Sequence, residues 1–274
     1  MNWKQIKEIS LRDILNTLEE AFHALGVDFY LIGAFAKDHW YSSKGLRTRQ
    51  TKDVDFAVLV QSAAVYQALR AYLKGKQFID TKENAFVMIS PDGVQVDILP
   101  FGEIEIDGHV TFEGEGMTSI SVNGFREVYE AGTESIDMQT KYSFKAATLP
   151  AIVLLKLIAY DDRPEQRLKD AGDIAGILMN YFELQSDLIY DHHHDLFEKE
   201  ERELTEIAAI VVGREIKKIC ADNSQLHNRI QRIVSDEIDK IDKSAFLRAM
   251  MRETGKTLEE MNDLLMNMLE GITL

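Results

Sequence analysis

"TKDVDFAVLV", residues Thr51 to Val60, sets two aspartates into what otherwise reads as a buried strand. Side chains of an extended strand alternate between faces, so Asp53 and Asp55 share one face while Val54, Phe56 and Val58 share the other. Two like charges spaced about 7 Å along one face repel each other. The arrangement persists most easily when a cation lies between them, and hard oxygen donors of this kind suit Mg²⁺ or Mn²⁺.

Upstream, "VDFYLIG" reads as a short strand closing at Gly33, and "AFAKDHWY" as a helix or helical turn beginning at once after it. Strand, glycine, helix is an anion-binding layout, because unpaired N–H groups at a helix start point toward whatever approaches. Taken alone, Gly33 also fits an ordinary turn. Further upstream, Ser10 with Asp13 resembles an N-cap, and Ile14, Leu18, Ala21, Phe22 and Leu25 recur at helical spacing as far as Gly26. Between Lys37 and Lys52 five basic residues (Lys37, Lys44, Arg47, Arg49 and Lys52) face one acid, Asp38. A basic approach to a carboxylate site suits a polyphosphate; a solvated loop is the plainer reading.

Downstream, "SAAVYQALRAYLKG" has helical periodicity and stops at Gly75. "AFVMIS", the turn "PDG" and "VQVDILPF" then predict a hairpin. In its second arm Val94, Val96 and Ile98 share one face, which leaves Gln95 and Asp97 on the other. Asp97 is thus a third carboxylate breaking an apolar run. Residues 103–134 read as short strands and turns, and the pattern from about Lys145 to the end is helical. The expectation is an α+β chain: a mixed-sheet domain over 1–145 followed by an all-helical domain over 146–274.

Composition sets outer bounds. The chain has 274 residues, 45% hydrophobic, with a net charge of −15, which disfavours broad nonspecific binding to nucleic acid. Cys220 is the only cysteine, so no intrachain disulfide forms, and "MNWKQIKEIS" lacks an apolar signal core; a cytoplasmic location is expected. The longest apolar run, "LPAIVLLKLIAY", is too short to span a bilayer and contains Lys156, so no membrane association is expected.

The order of parts resembles the DNA polymerase β-like nucleotidyltransferase superfamily. Its glycine-led loop, DxD strand and later single Asp are matched by Gly33, by Asp53 with Asp55, and by Asp97. More narrowly, "IGAFAKDHW", "RTRQTKDVDFAV", "VDILPFG", "VNGFREV" and "LLKLIAYDDRPEQRLKDAGDI" resemble the AbiEii/AbiGii toxin-type nucleotidyltransferases as far as about Leu178. The resemblance implies metal-dependent transfer of a nucleoside monophosphate from a nucleoside triphosphate. It implies Mg²⁺ or Mn²⁺ held by Asp53, Asp55 and Asp97, with Asp97 also drawing the proton from the attacking hydroxyl. Gly33, Ala34 and Lys37 would bind the nucleotide, in a cleft between the two domains. The acceptor implied is RNA, such as a tRNA end, and the role implied is that of a toxin paired with an antitoxin protein.

Lys156 lies on a helical stripe with Ile152, Val153, Ala159 and Tyr160, so its ammonium points inward and needs an anion. Asp170 and Asp173 share an apolar stripe with Ile174, Ile177, Leu178 and Tyr181. Either Lys156 makes a buried interhelical salt bridge with one of these acids, or, as the resemblance favours, it contacts nucleotide phosphate while Asp170 or Asp173 orients it. "DHHHD", Asp191 to Asp195, reads as an exposed polar helix or loop, since consecutive histidines on a helix fan out and cannot share one ion. No Arg is followed by His at the short spacing of helical ribonucleases, so the last helices read as scaffold or acceptor-recognition surface.

Two other functions compete. A glycosyltransferase can use a DxD pair to hold a metal and a nucleotide-sugar, but gives no task to Gly33 or Asp97. A haloacid-dehalogenase-like phosphatase fits less well, because "DVDFAV" lacks the threonine expected after the DxD. Ala34 stands where the superfamily loop carries Gly or Ser, which keeps a non-catalytic nucleotide-binding or interaction module in play.

Overall fold

The computed structural model describes residues 3–46, 53–113, 116–138, 144–198 and 202–274, with backbone alone at 3–10. Arg47, Arg49 and Lys52 of the basic run lie outside the described residues. Two compact units are formed: Met1–His39, Thr48–Tyr129 and Thr133–Ala147 make the first, and Trp40–Arg47, Glu130–Gly132 and Thr148–Leu274 the second.

The first unit is built around β1 (Asp28–Ile32), β2 (Asp53–Val60), β3 (Ile79–Asp80), β4 (Val87–Ile89), β5 (Gln95–Gly102), β8 (Thr133–Ile136) and β9 (Phe144–Ala147). These pair in the order β3-β4-β5-β2-β1-β9-β8. The pairs β2/β5 and β1/β9 are parallel and the rest antiparallel, so the sheet is mixed. A small hairpin, β6 (His109–Thr111) with β7 (Ser119–Ser121), stands apart from it. The unit's helices are α1 (Trp3–Leu25), α3 (Ala63–Gly75) and the greater part of α2 (Gly33–Ser43) and α4 (Phe125–Ala131), whose last residues fall in the second unit.

Alternation in β2 works as its sequence dictates. Val54, Phe56 and Val58 are buried, and Phe56 joins Phe22 of α1, Phe29 and Phe144 in an aromatic core with ring centroids 5.5, 5.8 and 6.2 Å away. On the opposite face, Ala57 of β2 and Phe101 of β5 are fully buried, and Tyr30, Phe101, Phe125 and Tyr129 cluster there. That face is therefore apolar along the later halves of β2 and β5 and carboxylate-bearing at their starts. Ser62 caps α3, its hydroxyl accepting from Val65 N–H at 3.4 Å.

Three local expectations are corrected. Helix α1 begins at Trp3, so Ser10 is helical interior instead of a cap; no Gly or Pro stands between Trp3 and Ser10 to break the helix. Phe125–Ala131, read as strand and turn, is a helix, with Phe125 and Val128 turned inward. Lys145 to Ala147, read as helical, belongs to β9: Leu31 pairs with Ala146 on one side and β8 on the other, and this pairing overrides the helical preference of "KAA".

The second unit takes in α5 (Leu149–Asp162), α6 (Leu168–His192), α7 (Leu204–Ile219), α8 (Ser224–Asp239), α9 (Ala245–Thr254) and α10 (Leu258–Thr273). Thr148 caps α5, and Pro150 sits in its first turn, where a missing N–H costs nothing. Helix α6 is interrupted at Gln185, whose φ of −132° is not helical. Helices α7 and α10 cross at Gly213 and Gly271, where a Cβ on either would strike backbone carbonyl of the other helix. The α+β class, with a mixed sheet followed by helices, is as the sequence indicates.

Candidate active site

Asp55 and Asp97 are register partners on the parallel pair β2/β5, and Asp53 is the partner of Gln95 one step earlier on the same face. Parallel partners point to the same side, so all three carboxylates and the Gln95 carboxamide stand in a two-by-two array at the start of the two strands. Asp53 is exposed, and Asp55, Gln95 and Asp97 are half-buried. Gln95 Nε2 donates to Asp97 Oδ1 at 2.8 Å. Gln95 was not among the site residues expected from the sequence; its signal there is only its position two residues before Asp97 on one strand face.

Gly33 is the first residue of α2 and has φ +69°, in the left-handed region. A Cβ at this position would run into the Asp55 carboxylate, meeting Oδ2 first, with Cγ at 2.9 Å and Cβ at 3.3 Å. Glycine is therefore needed twice, for the turn from β1 into α2 and for the close approach of Asp55. The Asp55 carboxylate lies against the start of an 11-residue helix, where a negative charge is stabilised by the unpaired N–H groups. Ala34 and Lys37 follow three residues apart on one side of α2, both half-buried.

The chemistry of this donor set fits a hard divalent cation: three carboxylates on one face of two adjacent strands, two of them in register. Among the described residues, however, no three His, Cys, Asp or Glu side chains are gathered tightly enough to hold a metal ion. The carboxylates are aligned without being drawn around one point.

In the second unit Lys156 Nζ donates to Asp170 Oδ1 at 2.6 Å and to Asp173 Oδ2 at 2.8 Å. The lysine side chain is 13% exposed, Asp170 3% and Asp173 29%. Burial alone would lower the lysine pKa, but the two carboxylates outweigh it and hold it above the ordinary lysine value. Arg167 adds a longer ion pair to the second oxygen of Asp170, at 3.7 Å. The inward-facing ammonium inferred from its apolar stripe thus meets both acids.

"DHHHD" is not exposed throughout. His193 is buried, with Nε2 3.2 Å from Glu215 Oε1, and Asp195 takes a two-pronged bond from Arg214 at 2.8 and 2.7 Å. The stretch ends α6, where His193 N–H closes the last turn onto Ile189 carbonyl at 2.9 Å and the ring turns in against α7. His192 and His194 are exposed.

The family described as nucleotidyl transferase AbiEii toxin, type IV toxin–antitoxin system, matches residues 16–266. The match takes in both units and runs well past Leu178, where the sequence motifs stop. The protein is a nucleotidyltransferase. It belongs to the AbiEii toxin family, whose systems pair a toxin with an antitoxin. No curated protein matches the sequence. Among solved structures, the solution structure of the antibiotic-resistance factor ANT(2'')-Ia is similar over 88% of this chain and 95% of that one, at 10% identity and a TM-score of 0.36, a likeness too slight to argue from. Among the described residues no helix is long and apolar enough to cross a membrane.

Proposed function

We propose that the chain transfers a nucleoside monophosphate from a nucleoside triphosphate to a hydroxyl of an RNA acceptor such as a tRNA end, with Asp53, Asp55 and Asp97 as its catalytic centre. The observation that carries this reading is the parallel register that sets Asp97 beside Asp55, with Asp53 on the same face. The attacking oxygen forms a bond to the α-phosphorus, the bond from that phosphorus to the bridging oxygen breaks, and pyrophosphate leaves. The hydroxyl proton passes to Asp97 as general base. Asp53, Asp55 and Asp97 would hold Mg²⁺ or Mn²⁺, which when bound supplies positive charge against the phosphoryl oxygens. The start of α2, at Gly33 and Ala34 with Lys37 beyond, is the part assigned to the triphosphate. The sheet-bearing residues 1–145 would carry the chemistry, the helical residues 146–274 would serve as support and acceptor surface, and the lone buried Cys220 suits a cytoplasmic setting.

A second reading concerns Lys156. Asp170 and Asp173 hold and orient its ammonium, and a nucleotide phosphate would have to share it with them or displace one.

The test is incubation with each labelled nucleoside triphosphate, Mg²⁺ or Mn²⁺, and total RNA. Label on RNA that disappears in Asp53→Asn and Asp55→Asn supports the reading, and these variants should melt at or above the wild-type temperature without metal, since they relieve like-charge repulsion. Asp97→Ala should still bind nucleotide but fail to transfer it; full transfer in Asp97→Ala would favour a DxD glycosyltransferase instead.

A further inference from the structure

Gln95 opens β5, and its backbone is fixed from both sides. It pairs with Asp53 on β2 and with Ile89 on β4. The preceding residue is clamped at the hairpin end: Ser90 N–H donates to Val94 carbonyl at 2.9 Å, and Val94 N–H donates to Ser90 Oγ at 3.0 Å. From this fixed base the Gln95 carboxamide reaches along its own strand and donates to Asp97 Oδ1 at 2.8 Å. Facing a carboxylate, only the NH₂ end of the amide can make this bond.

The residue type matters as much as the distance. A glutamate of the same size would put a fourth carboxylate into the array and offer Asp97 no donor. A lysine would bring a positive charge to compete for the carboxylates. The amide supplies a donor and no charge. The bond joins two residues of a single strand at a half-buried site, so it ties no two elements together and the fold gains little from it.

We propose that Gln95 is a positioning residue for nucleotidyl transfer: by bonding Oδ1 it fixes the plane of the Asp97 carboxylate, and so the direction in which the other oxygen meets the acceptor hydroxyl. This rests on the reading of Asp53, Asp55 and Asp97 as the catalytic centre. Gln95 acts through Asp97 and does not itself hold the nucleotide.

The experiment compares wild type, Gln95→Met, Gln95→Glu and Asp53→Asn for nucleoside triphosphate consumption with total RNA, for Mn²⁺ binding by electron paramagnetic resonance, and for melting temperature. In Gln95→Met, turnover should fall by about 10-fold or more, as is usual when the partner orienting a functional side chain is lost. Its KM for the nucleotide should stay within about two-fold, the sign of an interaction that serves the transition state alone. Melting should match wild type, and Mn²⁺ affinity, to which Asp97 contributes beside Asp53 and Asp55, should weaken by no more than turnover does. Gln95→Glu, of the same length and still polar, guards against a packing defect in the first variant; its turnover should fall at least as far. Turnover near wild type in both variants, or a fall matched by equal losses of nucleotide affinity and melting temperature, overturns the inference while leaving the catalytic centre intact. If Asp53→Asn consumes nucleotide as fast as wild type, the catalytic centre itself is misassigned and this role for Gln95 goes with it.

Discussion

At Gly33 a left-handed backbone and the Asp55 carboxylate meet, and any side chain would disturb both. The two effects are separable by comparison with Gly26, whose φ is +61° and whose missing Cβ faces open space. Each change to alanine should cost about 1–2 kcal/mol from the left-handed conformation. Only Gly33→Ala should also push the Asp55 carboxylate away from the start of α2, and so lose nucleotidyl transfer. Melting curves and transfer assays on the two variants, side by side, check this. Equal activity in Gly33→Ala and Gly26→Ala would show that the Asp55 contact does not matter to the reaction. Alternation put Asp53 and Asp55 on one face of β2 and set Asp97 apart from the apolar residues of β5; the order of parts, by its resemblance to a known superfamily, singled out the three together. That Asp97 falls beside Asp55, and not one pair further along, is a matter of register, which depends on how two strands slide past each other and is written in neither. The tie from Gln95 to Asp97 was illegible for a simpler reason: side chains two apart on a strand share a face whether or not they touch.

Among the elements, those whose pattern is set by burial on one face were the readable ones: β2, the β4/β5 hairpin, α3, and the stripe that turns Lys156 inward. Those set by a partner were not. "FKAA" becomes β9 because β1 and β8 flank it, and "FREVYEA" becomes α4 because Phe125 and Val128 find the aromatic face of the sheet. The α5/α6 pair offers the sharpest test of element-level energetics. Lys156→Met leaves Asp170 and Asp173 without their shared ammonium, and because Asp170 is almost wholly buried the loss should be about 3–5 kcal/mol. The pH dependence has a definite sign. A lysine held above its ordinary value gives its full stabilisation below the unfolded lysine pKa and loses it as pH rises through the folded value. Wild type should therefore lose stability on the alkaline side more steeply than Lys156→Met. The difference between the two curves is the quantity to measure, since Tyr66 and Tyr160, pushed up to about 12 chiefly by burial, weaken both proteins in the same range. Coincident alkaline slopes, or a mutant as stable as wild type at neutral pH, would mean the bridge is not holding the helices. A mutant that stays folded but gains no stability from excess Mg-nucleotide would instead support the phosphate role of Lys156.

At the scale of the whole molecule, the sequence suggests two consecutive blocks meeting near residue 145; in the compact units Trp40–Arg47 and Glu130–Gly132 group with the helices that begin after Ala147. Tyr41 shows why. It is 8% exposed, its hydroxyl donates to the Gly176 carbonyl of α6 at 2.9 Å, and Lys44 N–H and Leu46 N–H return to its carbonyl at 3.2 and 3.0 Å. Lys44 adds an ion pair to Asp187 at 3.7 Å, largely exposed and worth little. A fragment of residues 148–274 lacks this buried tyrosine and the hydrogen bond it gives to α6. In the intact chain Tyr41→Ala should cost about 3 kcal/mol or more, the usual toll for emptying a buried aromatic site. Tyr41→Phe should cost about 1 kcal/mol or less, because it removes one hydrogen bond without stranding its acceptor: Asn180 Nδ2 also donates to the Gly176 carbonyl, at 2.7 Å. The measurement is thermal unfolding of the fragment 148–274, of a longer fragment in which residues 40–46 are joined to it by a flexible linker, and of the two point variants in the full chain. The linked fragment should melt well above the bare one, and Tyr41→Ala within it should erase the gain. If the bare fragment already unfolds as cooperatively and as late as the linked one, Tyr41 is a passenger on the helical unit and adds nothing to its stability.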